Sequence, residues 1–285
     1  MDGIFFNDTA LVTHYVFPPH SIFPIRHYEV MSPATAQRFT GVWTPPIQDI
    51  DVVQIGVNQD TATSVVYAIE LQNNDVPDLV VSNVAQNTFS KIIHLPNVFS
   101  QSNGVQLAQD TVRNQAVMVT SPSAGAVGGP PPMLATVDLT TGQITEFRGV
   151  GPGNIFGSGS PNGIAMDSRT GIACTTTELD AGVEFYDVAK QAGLEVRLPN
   201  QAGQLQSGTS IANDPIHGLF LVTQPVSSIV SSGSSIVVYD EHGNFVEAIN
   251  GFQFPISGPG IAINPTKRSG WVTGPGVNQL TSFSY

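Results

Sequence analysis

Two Asn-Gly pairs carry the side chains of this sequence that are best suited to bind a ligand. Asn103 stands in SNGVQL and Asn162 in PNGIAM, each directly before an apolar run. An asparagine amide has one acceptor and two donors, so it can orient a polar ligand or join the shell of a cation. An Asn-Gly pair also forms a tight turn, and that structural interpretation stays open for both positions.

The elements that must position these residues come from a repeat. Four segments share a short apolar run, a turn with Asp or Asn, and a second run that ends near a threonine: 103–122, 162–179, 208–225 and 258–275. Aligned in this way, the equivalent threonines are Thr120, Thr176, Thr223 and Thr273. Repeats of about 40–50 residues are typical of propellers or helical arrays. The runs are rich in β-branched and aromatic residues and are broken by turn residues, which favours strands.

A second pair of strands follows in most repeats. Strands that end at Asp138, Asp187 and Asp240 precede a turn containing glycine and then another strand. Each such repeat therefore holds four antiparallel strands, which is one blade of a β-propeller. The sequence predicts an all-β protein with six blades, or five as the alternative. In this architecture the loop with Glu178 and Asp180 opens on the same face as the two asparagines, so we expect all four to bind a ligand, with a solvated loop as the alternative for the two carboxylates.

The two ends of the chain complete the predicted ring. The last repeat ends in QLTSFSY and has three strands, which leaves an open strand edge. We expect the N-terminal strand in 3–17 to pair there and close the propeller. One domain then covers residues 1–285, with the closing strand and an irregular or degenerate blade in 1–46 and five blades in 47–285.

Composition excludes several kinds of partner. The net charge is −12, with ten Lys plus Arg that form no cluster, so a nucleic-acid backbone and an anionic membrane surface are not expected partners. No apolar run reaches the length of about 18 residues that a membrane span needs. Cys174 is the only cysteine and lies in an apolar run, which predicts a buried core residue. We expect a monomer that binds a small molecule or a protein.

The start of the chain and its composition bear on localisation. The segment MDGIFFNDTALVTHYVF has no basic region before an apolar stretch, so it does not look like a signal peptide. The low lysine content and the many Asn, Thr and Gly residues nevertheless favour an extracytoplasmic or secreted protein.

The stretch SPNGIAMDSRTG resembles the innermost strand of six-bladed propellers that include the SMP-30/gluconolactonase, NHL and YncE-like families. The resemblance covers residues 50–285 as architecture. For the lactonase branch it implies one divalent cation, calcium or zinc, held in the central channel by a Glu, an Asp and an Asn, with a further Asn that helps to hold substrate. Asn162 matches the liganding Asn, and Asn103 matches the second channel Asn.

The expected carboxylates of the lactonase branch are absent from their motif positions. The stretches SGTSIA (207–212) and GPGIAI (258–263) carry no carboxylate, and Asp51 is only near the position of the family's Glu. Calcium is held by several oxygen ligands, usually including carboxylates. Two functions therefore stay open: a propeller that binds a ligand or partner at the mouth of its channel, and a metal-dependent lactonase-like hydrolase whose metal ligands would include Asn162 and Asp51.

Overall fold

The computed structural model describes sixteen stretches of the chain and one isolated residue: 3–6, 9–16, 25–32, 37–38, 52–57, 65–71, 77–83, 88–96, 99, 106–120, 133–148, 161–177, 182–197, 210–225, 233–252, 260–274 and 279–285. Before Leu79 it describes the backbone only. The described residues contain no α-helix, and hence none long and apolar enough to cross a membrane.

The described strands form antiparallel sheets in chain order. The first sheet holds β1 (Gly3–Phe6), β2 (Thr9–Val16), β3 (Ile25–Ser32) and β4 (Gln37–Arg38), and the second β5 (Val52–Val57), β6 (Val65–Leu71), β7 (Pro77–Asn83) and β8 (Thr88–His94). The third holds β9 (Gln106–Asp110), β10 (Gln115–Thr120), β11 (Met133–Asp138) and β12 (Ile144–Arg148), and the fourth β13 (Pro161–Asp167), β14 (Ile172–Thr177), β15 (Gly182–Asp187) and β16 (Ala192–Arg197). The fifth holds β17 (Ile211–Asp214), β18 (Leu219–Gln224), β19 (Ser234–Asp240) and β20 (Phe245–Phe252), and the last β21 (Ile261–Asn264), β22 (Ser269–Gly274) and β23 (Gln279–Ser284).

The first strands of these sheets lie side by side. β5 contacts β9, β9 contacts β13, β13 contacts β17, β17 contacts β21, and β21 contacts β1. Each sheet extends outward from its first strand, with every neighbouring pair antiparallel. This arrangement is an all-β propeller of antiparallel blades, four-stranded except for the three described strands of the last blade, as the repeat predicts.

The strand predicted to close the last blade pairs elsewhere. The N-terminal segment forms two strands, β1 and β2, in which Gly3 faces Val12 and Phe6 faces Thr9. Its hydrogen bonds are therefore made within the first blade, and β23 gains no N-terminal neighbour among the described strands. The prediction of closure by an N-terminal fourth strand is wrong, because the segment folds back on itself as a hairpin. The first and last blades meet through their inner strands β1 and β21.

The buried core lies between the blades. Between the fourth and fifth blades, Phe185 packs edge to face on Phe220 and on Tyr239, with ring centroids 5.6 and 5.8 Å apart. Cys174 is fully buried in the same cluster, where the sequence placed it. Similar clusters lie between the second and third blades, the third and fourth blades, and the fifth and last blades. Each fully buried large apolar side chain contributes about 1.5–3 kcal/mol through its removal from water. Outer strands are exposed in contrast, as most of β20 shows.

Candidate site at the start of the fourth inner strand

The repeated threonine of the second strand bonds the residue that precedes the inner strand. In the fifth blade the N–H of Ser210 donates to Thr223 Oγ1 at 2.9 Å, and the N–H of Thr223 donates to the Ser210 carbonyl at 2.9 Å. Gly260 and Thr273 exchange the same two bonds at the same distances in the last blade. The hydroxyl thus satisfies a backbone group at the start of the inner strand, which is why threonine recurs there.

One threonine of the sequence alignment is out of register. Gln115, Ile172 and Leu219 each pair with the aspartate that ends the inner strand. Counting from these pairs, the third-blade residue equivalent to Thr176 and Thr223 is Val119. Thr120 follows it and is fully buried. The sequence repeat was therefore correct in its elements and wrong by one residue in this blade.

The fourth blade departs from the repeat at the start of its inner strand. Thr176 pairs with Gly163 in the usual register, but its buried hydroxyl has no hydrogen-bond partner among the described residues. The neighbouring Thr175 instead donates to the Gly163 carbonyl at 3.0 Å. The register shifts between Pro161 and Gly163, which places Asn162 in a β-bulge. Bulges redirect side chains and are frequent beside functional sites.

A buried carboxylate is the second feature in which the fourth blade differs from the repeat. Glu184 is 3% exposed and faces Thr175 across the strand pair. The equivalent residues, counted from the last residue of each third strand, are Ala135, Val237 and Thr281. Burying a carboxylate in a position that accepts alanine or valine is costly unless it is paired. A charge that breaks a repeat in this way is a candidate functional residue.

The aspartates that end the inner strands build turns. Asp110, Asp167 and Asp214 are fully buried. Asp167 accepts the Arg169 N–H at 2.9 Å through Oδ1 and the Arg169 guanidinium at 3.0 Å through Oδ2. Asp110 accepts an N–H and a guanidinium hydrogen bond from Arg113 in the same way. These side chains lie at the far end of the inner strands from Asn162, and their oxygens are engaged in the turns.

The pKa shifts of the Cys174 thiol and the Asp138 carboxylate agree with structural roles for both groups. Burial raises the pKa of the Cys174 thiol, and the negative charge of Glu184 adds to this effect. A thiol with a raised pKa is a poor nucleophile, which agrees with the core role expected from the sequence. At the outer turn of the third blade, the backbone N–H of Thr141 lowers the pKa of Asp138 by hydrogen bonding to the carboxylate.

The structure describes only one of the five site residues predicted from the sequence. Asn162 lies in β13, at the bulge, and its backbone is described. Asn103, Glu178, Asp180 and Asp51 lie outside the described residues. Across the described part of the chain, no group of three or more His, Cys, Asp or Glu side chains is arranged to hold a metal ion.

Sequence reasoning missed Thr175, Thr176 and Glu184 as members of the candidate site. The signal was present, because a blade-by-blade alignment of third strands sets GVEFYD against SIVVYD and shows one acidic residue among apolar ones. A contrast between repeats, rather than a motif, identifies these residues.

The fold has many similar solved structures at low identity. A chain of a nidogen/laminin complex is similar with a TM-score of 0.62 and 11% identity, covering 97% of this chain and 89% of that one. TolB from Acinetobacter baumannii has a TM-score of 0.62 and 8% identity over 91% of this chain, which spans 57% of TolB. A protein from Lactobacillus plantarum has a TM-score of 0.57 and 12% identity, with 97% and 92% of the two chains covered.

The chain shares the propeller fold. No family model matches the sequence, and no curated protein matches it either. At such identities the structural similarity extends to the fold alone, because propellers of one architecture carry many unrelated functions. Function must therefore be argued from the site.

Proposed function

We propose that the protein binds a small polar ligand or a protein partner at the face where the inner strands begin. The observation that carries this proposal is the local break of the repeat in the fourth blade. There a bulged Asn162 and a buried Thr176 hydroxyl without a described partner stand in place of the threonine bond of the fifth and last blades, and the buried Glu184 stands where the third and fifth blades have Ala135 and Val237. Native repeats break their own rules most often at functional sites.

The propeller that presents this site is proposed to be one domain of six blades over residues 1–285. The contact of β21 with β1 supports a closed ring, and the sheets follow each other in chain order. The composition favours a location outside the cytoplasm.

The chemistry of the site suits a ligand rich in hydroxyl or carbonyl groups. An asparagine amide and a threonine hydroxyl each donate and accept hydrogen bonds. Glu178 and Asp180 are proposed to act from the adjacent loop, and Asn103 from the start of the preceding inner strand. Sequence places all three on the face where the site lies.

A metal-dependent lactonase-like hydrolase is the second candidate. The position of Asn162 favours it, since that residue matches the metal-ligating Asn of the resembling family and lies in a bulge at the start of an inner strand. Calcium or zinc would need carboxylate ligands as well, and Asp51, Glu178 and Asp180 are the residues proposed to supply them.

Thermal melting with chosen probes tests the proposal and separates the two candidates. The parent chain and an Asn103→Ala/Asn162→Ala double variant are melted with calcium, with zinc, and with a panel of neutral sugars and polyols, and gluconolactone hydrolysis is assayed in parallel. Asn250→Ala is the control, because Asn250 is an exposed asparagine on outer strand β20.

The two functions give different outcomes. A binding protein shows a rise in melting temperature with a polyol or sugar that the double variant loses and the control keeps, and it hydrolyses no lactone. A lactonase shows hydrolysis that depends on the metal and is lost in the double variant. Equal shifts in all three proteins would remove both asparagines from the site.

A further inference from the structure

The turns that follow the inner strands present exposed apolar side chains on one face of the propeller. Val112 is 66% exposed in the third blade and Ile216 is 57% exposed in the fifth, the highest values among the large apolar side chains that the structure describes. Each stands two residues after the aspartate that ends its inner strand. Arg169 takes the same place in the fourth blade, which lies between these two. Equivalent placement in two blades distinguishes Val112 and Ile216 from apolar residues scattered singly over a surface.

Hydrogen bonds hold these turns in fixed conformations. Asp110 Oδ1 accepts the Arg113 N–H at 3.1 Å, and Asp214 Oδ1 accepts the Ile216 N–H at 2.9 Å. Asp214 also accepts the hydroxyl of Tyr285, from the last blade, at 3.0 Å through Oδ2. The turns are thus fixed within their blades and, here, against the next blade. A surface that is ordered before binding loses little conformational entropy when a partner docks on it.

The same turns gather positive charge in an acidic protein. The chain has a net charge of −12 and only ten Lys plus Arg, yet four of these ten lie in the turns after the inner strands. The turns contain no Asp or Glu. They are 111–114, 168–171, 215–218 and 265–268, and their basic residues are Arg113, Arg169, Lys267 and Arg268. The topology therefore brings together cations that are spread along the sequence.

The ion pairs of the two arginines leave their guanidinium groups toward solvent. Arg169 is 51% exposed whereas its partner Asp167 is fully buried, and Arg113 is partly exposed where Asp110 is buried. Glu241 of a neighbouring outer turn approaches Arg169 to 3.8 Å. Ion pairs between exposed groups contribute little, so a carboxylate of a partner can take the place of Glu241.

We propose that this face binds a segment of a partner protein that carries carboxylates between apolar side chains. The apolar side chains pack on Val112 and Ile216, and the carboxylates pair with Arg169 and with the basic residues of the last blade. An anionic membrane suits the turns but not the net charge of −12, which the membrane surface repels. The face lies at the opposite end of the inner strands from Asn162, so it is independent of the ligand site proposed there.

Selection from a random peptide library displayed on phage, with the chain immobilised, is the first test. The selected peptides should be enriched in Asp and Glu together with large apolar residues. They should bind Val112→Ser/Ile216→Ser at least about tenfold more weakly than the parent, because buried apolar contacts carry much of the affinity of an interface. The control is Leu194→Ser/Val246→Ser, which changes two half-exposed apolar side chains on outer strands β16 and β20 and should bind like the parent.

Salt and a charge variant test the electrostatic part. The affinity of the selected peptides should fall between about 50 mM and about 500 mM salt, and Lys267→Glu should weaken it several-fold. Peptides rich in Lys and Arg, or the lack of any peptide whose binding depends on Val112 and Ile216, would overturn the proposal.

Three further outcomes would assign the face to something else and overturn the proposal as well. In the free monomer, protection of the Val112 and Ile216 methyl groups from a soluble paramagnetic probe would show that the chain itself covers them. Dimers in sedimentation that Val112→Ser/Ile216→Ser abolishes would assign the face to a second copy. Binding to phosphatidylserine vesicles that the same variant loses would assign it to a membrane.

Discussion

At the scale of single residues, one hydroxyl orders the start of each regular inner strand. Thr223 and Thr273 each accept a hydrogen bond from the backbone of the preceding inner strand, and both are buried. Thr176 occupies the equivalent place with a hydroxyl that has no described partner. The same residue type therefore stabilises two blades, while in the fourth its hydroxyl is not bonded to any described residue.

Valine substitutions should separate these roles. Thr223→Val removes the acceptor of the Ser210 N–H and should lower the free energy of unfolding by about 1–3 kcal/mol, because a buried donor is left unsatisfied. Thr176→Val should change it by less than about 1 kcal/mol or stabilise the protein, since no described bond is lost. Urea unfolding of both variants checks this. Equal losses would show that the Thr176 hydroxyl is bonded in the folded protein.

At the scale of elements, the turns of the inner strands also join neighbouring blades. The Arg113 guanidinium in the third blade donates to the Ser168 carbonyl in the fourth at 3.2 Å, and the Thr111 N–H donates to Ser168 Oγ at 2.9 Å. Gly171, with φ +81°, lies against this arginine, so a methyl group there would lie 2.8 Å from its Nη2. The absence of a side chain lets the blades approach.

Alanine at Gly171 should cost more than alanine at a matched turn glycine. Gly142 has φ +79°, and a methyl group there would make only an ordinary contact of 3.5 Å with Ile93. Both substitutions should lose about 1–2 kcal/mol because positive φ disfavours a side chain. Gly171→Ala should lose more, since Arg113 must move. In an Arg113→Ala background the difference should vanish, as a double-mutant cycle by urea unfolding would show, and a persistent difference would contradict the contact.

At the scale of the whole molecule, three buried or partly buried tyrosines in separate blades should make the free energy of unfolding fall at alkaline pH. Burial, with the charges of Glu184 and Asp187, raises the pKa of Tyr186 to about 12. Burial also raises the pKa of Tyr239 and of Tyr285, and Asp214 adds to the effect on Tyr285, whose hydroxyl donates to it at 3.0 Å. The folded protein thus holds these phenol protons more tightly than the unfolded chain does.

The sign of the pH effect follows from this difference. Unfolded tyrosines lose their protons near pH 10, whereas the folded ones keep them. The free energy of unfolding should therefore fall as the pH rises above about 10. Below about pH 9 these groups should not make it depend on pH. Melting temperatures from about pH 8 to about pH 11 check this. Tyr285→Phe should reduce the slope and lower the melting temperature at pH 8, where its bond to Asp214 is lost. A flat profile above pH 10 would contradict the raised pKa values.

The sequence alone determined the architecture of this protein. Strand-turn periodicity, turn residues and a repeat of about 50 residues suffice for antiparallel blades, because local propensity and hydrophobic alternation fix strands and hairpins. The burial of Cys174 and the turn roles of the repeated aspartates follow from the same local pattern.

Tertiary structure decided what depends on pairing across distance. It set the hairpin of the N-terminal strands, the one-residue offset at Val119, the bulge at Asn162 and the burial of Glu184. A shift of one residue turns a side chain to the other face of its sheet, and a sequence pattern does not resolve register to that accuracy. The distinctive features of the candidate site therefore became visible only when the blades could be compared strand by strand.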